Sequence, residues 1–297
     1  MNLPEYPFAS QYHTVNGFRM HYLDEGPREG EILLMLHGNP SWSYLYRKPV
    51  LAWRDRYRCI VPDHIGMGLS EKPTAAAYPY TLARRIDDLD ALMEMLAPDK
   101  PLTLILHDWG GMIGMGYALR HPARIKRLVV MNTAAFHLPS NIPLPWQLRL
   151  ARLPVIGPLL IRGANAFCRG AIACGVTRDP APPEIKTAFL APYASWRERL
   201  AVMHFVEDIP LGPDEPSYAT VSAIEQGLPR FVNLPILFCW GMRDFIFDGR
   251  FLAAWIERFP EAETLRIEDA GHYLMEDAAA EVIAAISAFL KRNPLNA

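Results

Sequence analysis

The sequence predicts an α/β fold with a mostly parallel central sheet, flanked by helices and interrupted by one helical insertion. Short, wholly apolar runs are typical of strands that helices cover on both faces of a parallel sheet. Amphipathic segments with helical spacing lie between those runs, and the alternation stops in mid-chain before it resumes at Leu234. Together these three features favour one large layered domain that carries a helical lid.

Five apolar runs and one weaker segment supply the predicted strands. The five runs contain no charged residue, as expected of strands buried on both faces. The six segments are, in chain order, Ile32–Leu36, Cys59–Val61, Leu102–Leu106, Leu128–Met131, Ile236–Trp240 and Leu265–Ile267.

Four segments repeat apolar residues at the three-to-four-residue spacing of a helix with one buried face. Helices between consecutive strands make the strands parallel, so active-site groups are expected beyond the carboxyl ends of the strands. The predicted helices are Ile86–Leu96, Met112–Leu119, Phe251–Phe259 and Glu281–Leu290.

Residues 135–226 break the alternation, because this stretch is rich in proline and in helix-like segments and contains no clear strand. We therefore predict a core domain of residues 1–134 and 227–297 and a helical cap of residues 135–226. The aromatic content of the cap suits an apolar substrate, although the same side chains could pack the cap onto the core. These aromatic residues are Trp146, Phe167, Phe189, Tyr193, Trp196 and Phe205.

Composition narrows the class of protein and its partners. The 297 residues are 51% hydrophobic, enough for a large core, and the net charge of −2 gives no strong overall field for nucleic acid or an anionic membrane. No run of 18 apolar residues predicts a membrane span, and the N-terminus has no signal-peptide pattern. Cys59 and Cys239 lie in apolar runs and, like Cys168 and Cys174, form no CxxC pair, which predicts reduced thiols and a cytoplasmic protein.

Polar, reactive side chains follow four of the predicted strands. Because the carboxyl ends of parallel strands meet at one edge of a sheet, we expect these side chains to lie together. The four ends read HGNP (37–40), HDWGG (107–111), GMRD (241–244) and DAGH (269–272).

Asp108 is the candidate nucleophile, since Asp108, Asp244 and His272 follow the order nucleophile, acid, histidine of α/β hydrolases. Gly110 fits the small residue that follows a nucleophile on such a turn, whereas Leu106 departs from the small residue that precedes it. A carboxylate needs no base before it attacks an electrophilic carbon to form an ester. His272 could then activate a water against that ester, with Asp244 fixing its tautomer.

Asn39 and Trp109 are the candidate groups for holding a leaving group or oxyanion. An amide N–H and an indole N–H are donors suited to developing negative charge. Main-chain N–H groups near the same two residues could instead hold the free oxygen of Asp108. The spacing of His37 and His107 gives no zinc motif, so we predict neither a metal nor a cofactor.

Each of these residues has a plainer interpretation. Asp108 could cap the following helix, and Asp248 is the nearest rival of Asp244 as the acid. Asn39 could shape the turn before Pro40, and Trp109 could be core packing. For His64, in PDHIGMGLS, a structural role in the loop is favoured.

From Tyr6 to the final helix, the chain resembles the haloalkane dehalogenase superfamily of α/β hydrolases. The motifs HGNPSWSYLYR (37–47) and HDWGG (107–111) carry the resemblance. One dehalogenase subgroup takes its acid from the end of the strand at 128–131, where this chain has Asn132. The resemblance therefore implies Asp244 as the acid.

Within that superfamily the chain is most similar to bacterial β-lactone decarboxylases of olefin biosynthesis. Stretches inside the lid, such as LIRGANAFCRGA (160–171) and FVEDIPL (205–211), are the most informative because the lid shapes substrate choice. The resemblance implies a long-chain cis-β-lactone as the apolar substrate and a cis-alkene and carbon dioxide as products. It also implies assembly with other enzymes of the olefin pathway.

Three other functions compete with this interpretation. A haloalkane dehalogenase would use the same Asp, Asn and Trp to displace a halide and hydrolyse the ester. An epoxide hydrolase also carries HDWGG and uses two lid tyrosines, for which Tyr193 and Tyr218 are candidates, but Asn39 argues against it. A receptor or inactive subunit with a hydrolase fold is the non-enzymatic alternative, against which the complete set of Asp108, Asp244 and His272 argues.

Overall fold

One eight-stranded sheet organises the computed structural model of the chain, which describes residues 3–139 and 142–295. All six predicted strand segments are confirmed, and each lies within an observed strand. The strands are Gln11–Val15 (β1), Phe18–Glu25 (β2), Ile32–Leu36 (β3), Arg58–Pro62 (β4), Leu102–His107 (β5), Ile125–Met131 (β6), Ile236–Gly241 (β7) and Glu263–Ile267 (β8).

The strand order is β1-β2-β4-β3-β5-β6-β7-β8. The pairs β1–β2 and β2–β4 are antiparallel, and every pair from β4 to β8 is parallel. The side chains of β3, β4 and β5 are all buried, which explains the apolar runs within these strands. The predicted mostly parallel sheet is confirmed, and its parallel part directs the ends of β3, β5, β7 and β8 to one edge.

The first two strands were not among the predicted segments. β1 reads QYHTV and exposes four of its five residues, so its sequence has no apolar run to mark it. An antiparallel strand at the edge of a sheet can leave its side chains in solvent. The search for wholly apolar runs therefore missed this two-stranded extension.

Twelve α-helices lie in the described part of the chain. Shorter helical turns lie at Ser43–Tyr46, Pro122–Arg124, Leu159–Gly163, Ala191–Tyr193 and Leu228–Phe231. The helices are Arg47–Trp53 (α1), Leu82–Leu96 (α2), Trp109–Arg120 (α3), Trp146–Ala151 (α4), Ile156–Pro158 (α5), Ala166–Gly175 (α6), Pro183–Leu190 (α7), Leu200–Glu207 (α8), Tyr218–Gly227 (α9), Gly249–Arg258 (α10), Leu274–Asp277 (α11) and Ala279–Arg292 (α12).

The four predicted helices correspond to α2, α3, α10 and α12, and all four start earlier than the apolar spacing indicated. Polar caps set two of these starts. The Thr81 side chain accepts the Arg84 N–H ahead of α2, and the Asp248 side chain accepts the Arg250 N–H ahead of α10.

Between β6 and β7 the described residues form helices α4 to α9 and contain no strand, in line with the predicted insertion. α9 ends at Gly227, one residue beyond the predicted limit of the cap. The predicted domain ranges also include residues 1–2, 140–141 and 296–297, which lie outside the described residues.

Candidate active site

The ends of four parallel strands bring the predicted residues together at one edge of the sheet. Asn39 follows β3, Asp108 follows β5, Asp244 follows β7 and His272 follows β8. These four residues, together with Trp109 at the start of α3, all lie in or beside one buried cluster. The expectation that they would converge is therefore confirmed.

Asp108 lies on a sharp turn between β5 and α3. Its backbone has φ 51° and ψ −130°, a conformation that is strained for a residue with a side chain. The Asn132 carbonyl accepts the Asp108 N–H, and the Asp108 carbonyl accepts the Gly111 N–H. A Cβ atom at Gly110 would lie 2.1 Å from the Leu36 carbonyl oxygen, so only glycine fits there. The turn presents the Asp108 side chain above the sheet edge, as a nucleophile elbow does.

The Asp108 carboxylate faces the β3 end and does not cap α3 with its side chain. Its Oδ1 atom accepts the Asn39 main-chain N–H at 2.6 Å, and a Cβ atom at Gly38 would lie 1.9 Å from that oxygen. Burial raises the pKa of Asp108, and the opposing effects of His272 and of the Trp109 and Asn39 N–H groups do not cancel it. The helix-cap interpretation of this side chain is therefore wrong.

His272 and Asp244 form a buried pair. The Nδ1 atom of His272 lies 2.8 Å from Oδ2 of Asp244, whose Oδ1 accepts the Ile246 N–H at 2.7 Å. With a proton on Nδ1, the Nε2 atom faces Asp108 Oδ2 at 3.8 Å, which is too long for a hydrogen bond. The imidazole therefore stands beside the Asp108 carboxylate without being bonded to it.

The three ionisable groups shift one another's pKa values. Burial lowers the pKa of His272, but the charge and hydrogen bond of Asp244 and the charge of Asp108 outweigh it and raise the pKa. Burial likewise raises the pKa of Asp244, but His272 and the N–H groups of Ile246 and Phe247 outweigh it and lower the pKa. Asp244 is thus held ionised and favours a cationic imidazole next to Asp108.

Asp248, the alternative candidate for the acid, has a structural role at the start of α10. Its carboxylate caps α10 through the Arg250 N–H and binds the Arg250 guanidinium at 2.6 Å. The partner of His272 is therefore Asp244.

Asn39 and Trp109 both line the cavity, but their donors differ in availability. The Asn39 amide nitrogen donates to the Val202 carbonyl at 3.1 Å, so one of its two hydrogens is engaged by α8. The Trp109 indole packs edge-on against Phe205, and its N–H has no hydrogen-bond partner within residues 3–139 and 142–295. The indole N–H is therefore the donor that is free to meet a ligand.

A cavity of about 390 Å³ lies above this cluster. Asn39, Asp108 and His272 form its polar floor, and aliphatic and aromatic side chains from the segment 138–210 and from residues 245–251 form its walls. Such a cavity suits a ligand with a small reactive group and long apolar substituents. Of the six aromatic cap residues singled out in the sequence, only Trp146 and Phe167 line it.

The two tyrosines that favoured epoxide hydrolysis do not reach the cavity. The Tyr193 hydroxyl donates to the Ser41 carbonyl at 3.0 Å and accepts the Gly68 N–H at 3.2 Å, which uses its polar capacity in the core. Tyr218 packs against His137. Neither side chain is placed to protonate an epoxide oxygen in the cavity.

Three residues that support the site were not recognised as such in the sequence. The Asn132 side chain bonds both the N–H and the carbonyl of Gly241, which ties β6 to the strand before Asp244. His107 donates from Nε2 to the His272 carbonyl at 2.8 Å, and burial lowers the pKa of His107 to about 3. Asp277 accepts the Gly271 N–H at 2.7 Å. The contacts of Asn132 and His107 join residues 109 and 165 positions apart, so no local pattern indicates them.

His64 and His37 lie behind the β3 end, outside the cavity. His64 Nε2 lies 2.9 Å from the His37 carbonyl oxygen, and the His64 N–H approaches His37 Nε2 at 3.3 Å. The structural role predicted for His64 is confirmed.

In the part of the chain that the structure describes, no three His, Cys, Asp or Glu side chains gather as metal ligands would. No helix among the described residues is both long and apolar enough to cross a membrane.

Comparison with known proteins places the chain among α/β hydrolases. A family model described as alpha/beta hydrolase fold matches residues 31–156. The solved structure of a haloalkane dehalogenase from Bradyrhizobium elkani superposes with a TM-score of 0.80 at 26% identity, covering 95% of this chain and 99% of that one.

Full-length relatives refine this comparison. A cis-3-alkyl-4-alkyloxetan-2-one decarboxylase of Shewanella oneidensis is 50% identical over 96% of this chain and 89% of its own. Another, of Xanthomonas campestris pv. campestris, is 48% identical over 99% of this chain and all of its own. A haloalkane dehalogenase of Mycobacterium marinum is 35% identical over 95% of this chain and 93% of its own.

Proposed function

Because this chain belongs to the α/β-hydrolase family that includes haloalkane dehalogenases and cis-3-alkyl-4-alkyloxetan-2-one decarboxylases, we propose that it decarboxylates long-chain cis-β-lactones to cis-alkenes. One observation carries the proposal: two decarboxylases match at 50% and 48% identity over nearly the whole chain, against 35% for the dehalogenase. The match includes the segment that walls the cavity. The substrate specificity of such enzymes depends on that wall.

The cavity supports this substrate class. A β-lactone with two alkyl chains has one compact polar ring and long apolar arms. The ring would lie on the floor formed by Asn39, Asp108 and His272, and the alkyl chains would pack against the apolar walls. Burial of the chains would supply binding energy that holds the ring against Asp108.

Asp108 is the proposed nucleophile. Its oxygen attacks the ring carbon that is bonded to the ring oxygen, so that an ester bond to Asp108 forms and the ring carbon–oxygen bond breaks. The electron pair of the broken bond leaves the former ring oxygen as part of a substrate carboxylate. That carboxylate then departs as carbon dioxide, its carbon–carbon pair forms the alkene, and the bond to Asp108 breaks. Asp108 returns as a carboxylate, and no water is consumed.

His272 acts in this scheme as a cation rather than as a base. Its raised pKa and its position 3.8 Å from Asp108 Oδ2 suit an imidazolium that stabilises the carboxylate released from the ring. Asp244 holds the imidazolium in place through Nδ1. The Trp109 indole N–H and the remaining amide hydrogen of Asn39 donate to the same developing charge.

Whether oxygen from water enters the Asp108 carboxylate during turnover tests this scheme. The enzyme reacts with a synthetic cis-β-lactone through several turnovers in ¹⁸O-labelled water and is then digested with a protease. The mass of the peptide that contains Asp108 is measured by mass spectrometry. Alkene formation without label in Asp108 supports the proposal, because the ester bond breaks between oxygen and the alkyl carbon. Labelled Asp108 would contradict it, since label enters when water attacks the ester carbonyl.

Haloalkane dehalogenation is the second candidate, because the unpartnered Trp109 indole N–H suits a halide as well as an oxyanion. In that reaction neutral His272 would activate water against an alkyl ester of Asp108. Bromide release from 1-bromohexane without alkene from the lactone would establish the dehalogenase and overturn the decarboxylase. Both reactions use Asp108 as the nucleophile.

We also propose that residues 135–226 act as a cap that selects the alkyl chains, because this segment supplies most of the cavity wall. Assembly with other enzymes of olefin synthesis and a cytoplasmic location stay predictions from the resemblance and from the composition.

A further inference from the structure

The segment after β6 exposes a dense run of large apolar side chains. We call this surface the cap face; it consists of Trp146, Leu153, Val155, Ile156 and Leu159. Their exposed fractions are 69%, 43%, 71%, 43% and 58%. Five of the eleven exposed large apolar residues among the described residues thus fall within α4, α5 and the turns around them. Such a concentration of exposed apolar side chains in one short segment is typical of an interaction surface.

The chain around the cap face is strongly basic, although the whole protein carries a net charge of −2. No Asp or Glu occurs between Asp108 and Asp179, whereas four arginines lie between residues 146 and 170. Arg149 and Arg169 are exposed and pair with no carboxylate among the described residues; Arg152, by contrast, pairs with Glu215 at 2.6 Å. The apolar face is therefore flanked by free positive charge.

The cap face also borders the cavity. Trp146, which is 69% exposed, belongs to the cap face and at the same time lines the cavity. Leu160 and Ile161, which follow the exposed Leu159, line the cavity as well. The apolar wall of the cavity and the apolar outer surface therefore meet at Trp146.

We propose that the cap face docks onto an anionic lipid bilayer, with its apolar side chains inserted at the level of the headgroups and Arg149 and Arg169 on the lipid phosphates. Apolar residues flanked by arginine are the chemistry that binds such an interface. A second copy of this chain fits less well, because a symmetric contact would bring the same positive patches together. Docking in this position would let an apolar substrate pass from the bilayer into the cavity, a consequence that rests on the proposed function.

Vesicle co-sedimentation without substrate tests the docking. Full-length protein is mixed with phosphatidylcholine vesicles that contain or lack phosphatidylglycerol. The double variant Val155→Ser with Leu159→Ser should lower the partition coefficient on phosphatidylglycerol vesicles by about tenfold or more, since two inserted side chains are lost. The control, Met95→Ser with Val232→Ser, changes two other exposed apolar residues, 40% and 45% exposed, outside the cap face and should bind like the wild type.

Charge is tested separately with Arg149→Gln and Arg169→Gln. This pair should remove the preference for phosphatidylglycerol, and salt should weaken wild-type binding in the same way. Wild-type protein that fails to sediment with either vesicle, or a cap-face variant that binds unchanged, would overturn the proposal. So would self-association of the wild type that the cap-face variant abolishes, because the face would then bind a second copy.

The two proposals fail independently. Vesicle binding is measured without substrate, and alkene formation is measured with lactone in detergent solution. Vesicle binding without alkene formation would support the docking proposal and contradict the decarboxylase function. Alkene formation without vesicle binding would support the decarboxylase function and contradict the docking proposal.

Discussion

Two buried histidine–aspartate pairs lie on opposite sides of the loop after β3, and only one of them faces the cavity. His272 and Asp244 are 2.8 Å apart and stand beside Asp108 at the cavity floor. His21 and Asp63 are also 2.8 Å apart, but both are fully buried away from the cavity.

The surroundings account for the difference. Asp63 accepts the N–H groups of Ser43 at 2.6 Å and Leu69 at 2.8 Å, so its oxygens are used to hold two loops. Asp244 holds one histidine, whose second nitrogen stays open towards Asp108. A buried histidine–aspartate pair is thus no sign of a catalytic site by itself; a free atom facing a cavity is the distinguishing feature.

Among substitutions of residues beside the cavity, removal of the nucleophile Asp108 should have the largest effect on activity. Asp108→Ala should lower alkene turnover by at least about 10⁴-fold, because no other carboxylate among the described residues lines the cavity to form the ester. Turnover and the melting temperature are measured together. The control Asp248→Ala removes a helix cap, so it should keep its turnover and lose only about 1 kcal/mol of stability. Full turnover in Asp108→Ala would refute the covalent scheme.

Removal of Asp244 should change both the rate and the pH profile. The raised pKa of Asp108 puts the acid limb above pH 3.8, and the raised pKa of His272 puts the alkaline limb above pH 6.5. Asp244→Asn should cost about 100-fold in kcat/KM and move the alkaline limb to lower pH, since the charge that favours the imidazolium is lost. The check is kcat/KM against pH. Activity that rises with pH through the His272 pKa would instead indicate a histidine acting as a base.

At the His21–Asp63 pair, which lies away from the cavity, the same type of substitution should change the stability of the fold rather than the activity. Asp63→Asn should lower the free energy of unfolding by about 3 kcal/mol, because a buried pair loses one charge and an amide NH₂ meets N–H donors. Urea unfolding measures the loss, and the folded fraction should largely keep its turnover. A variant that lost turnover but no stability would place Asp63 in the catalytic machinery.

The pH dependence of stability sharpens this prediction. Burial raises the pKa of Asp63, but His21, His37 and the Leu69 N–H outweigh it and lower the pKa from 3.8 to about 2. The lowered pKa contributes stability that is present above pH 3.8 and is lost as the pH falls through about 2. Asp63→Asn should lack this acid-dependent loss, which unfolding curves at successive pH values would reveal.

Substitution of two tryptophans should give the smallest of these effects on the kinetic constants and the most selective one. The indole N–H groups of Trp109 and Trp42 both lack a partner among the described residues, but only Trp109 lines the cavity. Trp109→Phe should lower kcat by about tenfold with a smaller change in KM, because a donor to developing charge is lost. Trp42→Phe should leave both constants unchanged, and equal effects of the two substitutions would argue against a role of the indole N–H.

Local sequence patterns determined the sheet and the residues at its functional edge. The apolar runs within β3 to β7 are recognisable because helices cover both faces of the sheet there, which favours apolar residues in the centre of those strands. Asp108 and its glycine-rich turn could be found in the same way, since a nucleophile elbow needs particular residues at adjacent positions. β1 escaped prediction because an edge strand leaves its side chains in water.

Tertiary structure alone decided which of these residues meet. The choice of Asp244 over Asp248 depends on the loop after β7, and the link from Asn132 to Gly241 spans 109 residues. Likewise, Val155 is an apolar residue of a type common in protein cores, yet it lies on the surface with 71% of its area exposed. Hydrogen bonds and burial between distant segments arise only when the chain packs, so spacing along the sequence does not encode them in any local pattern.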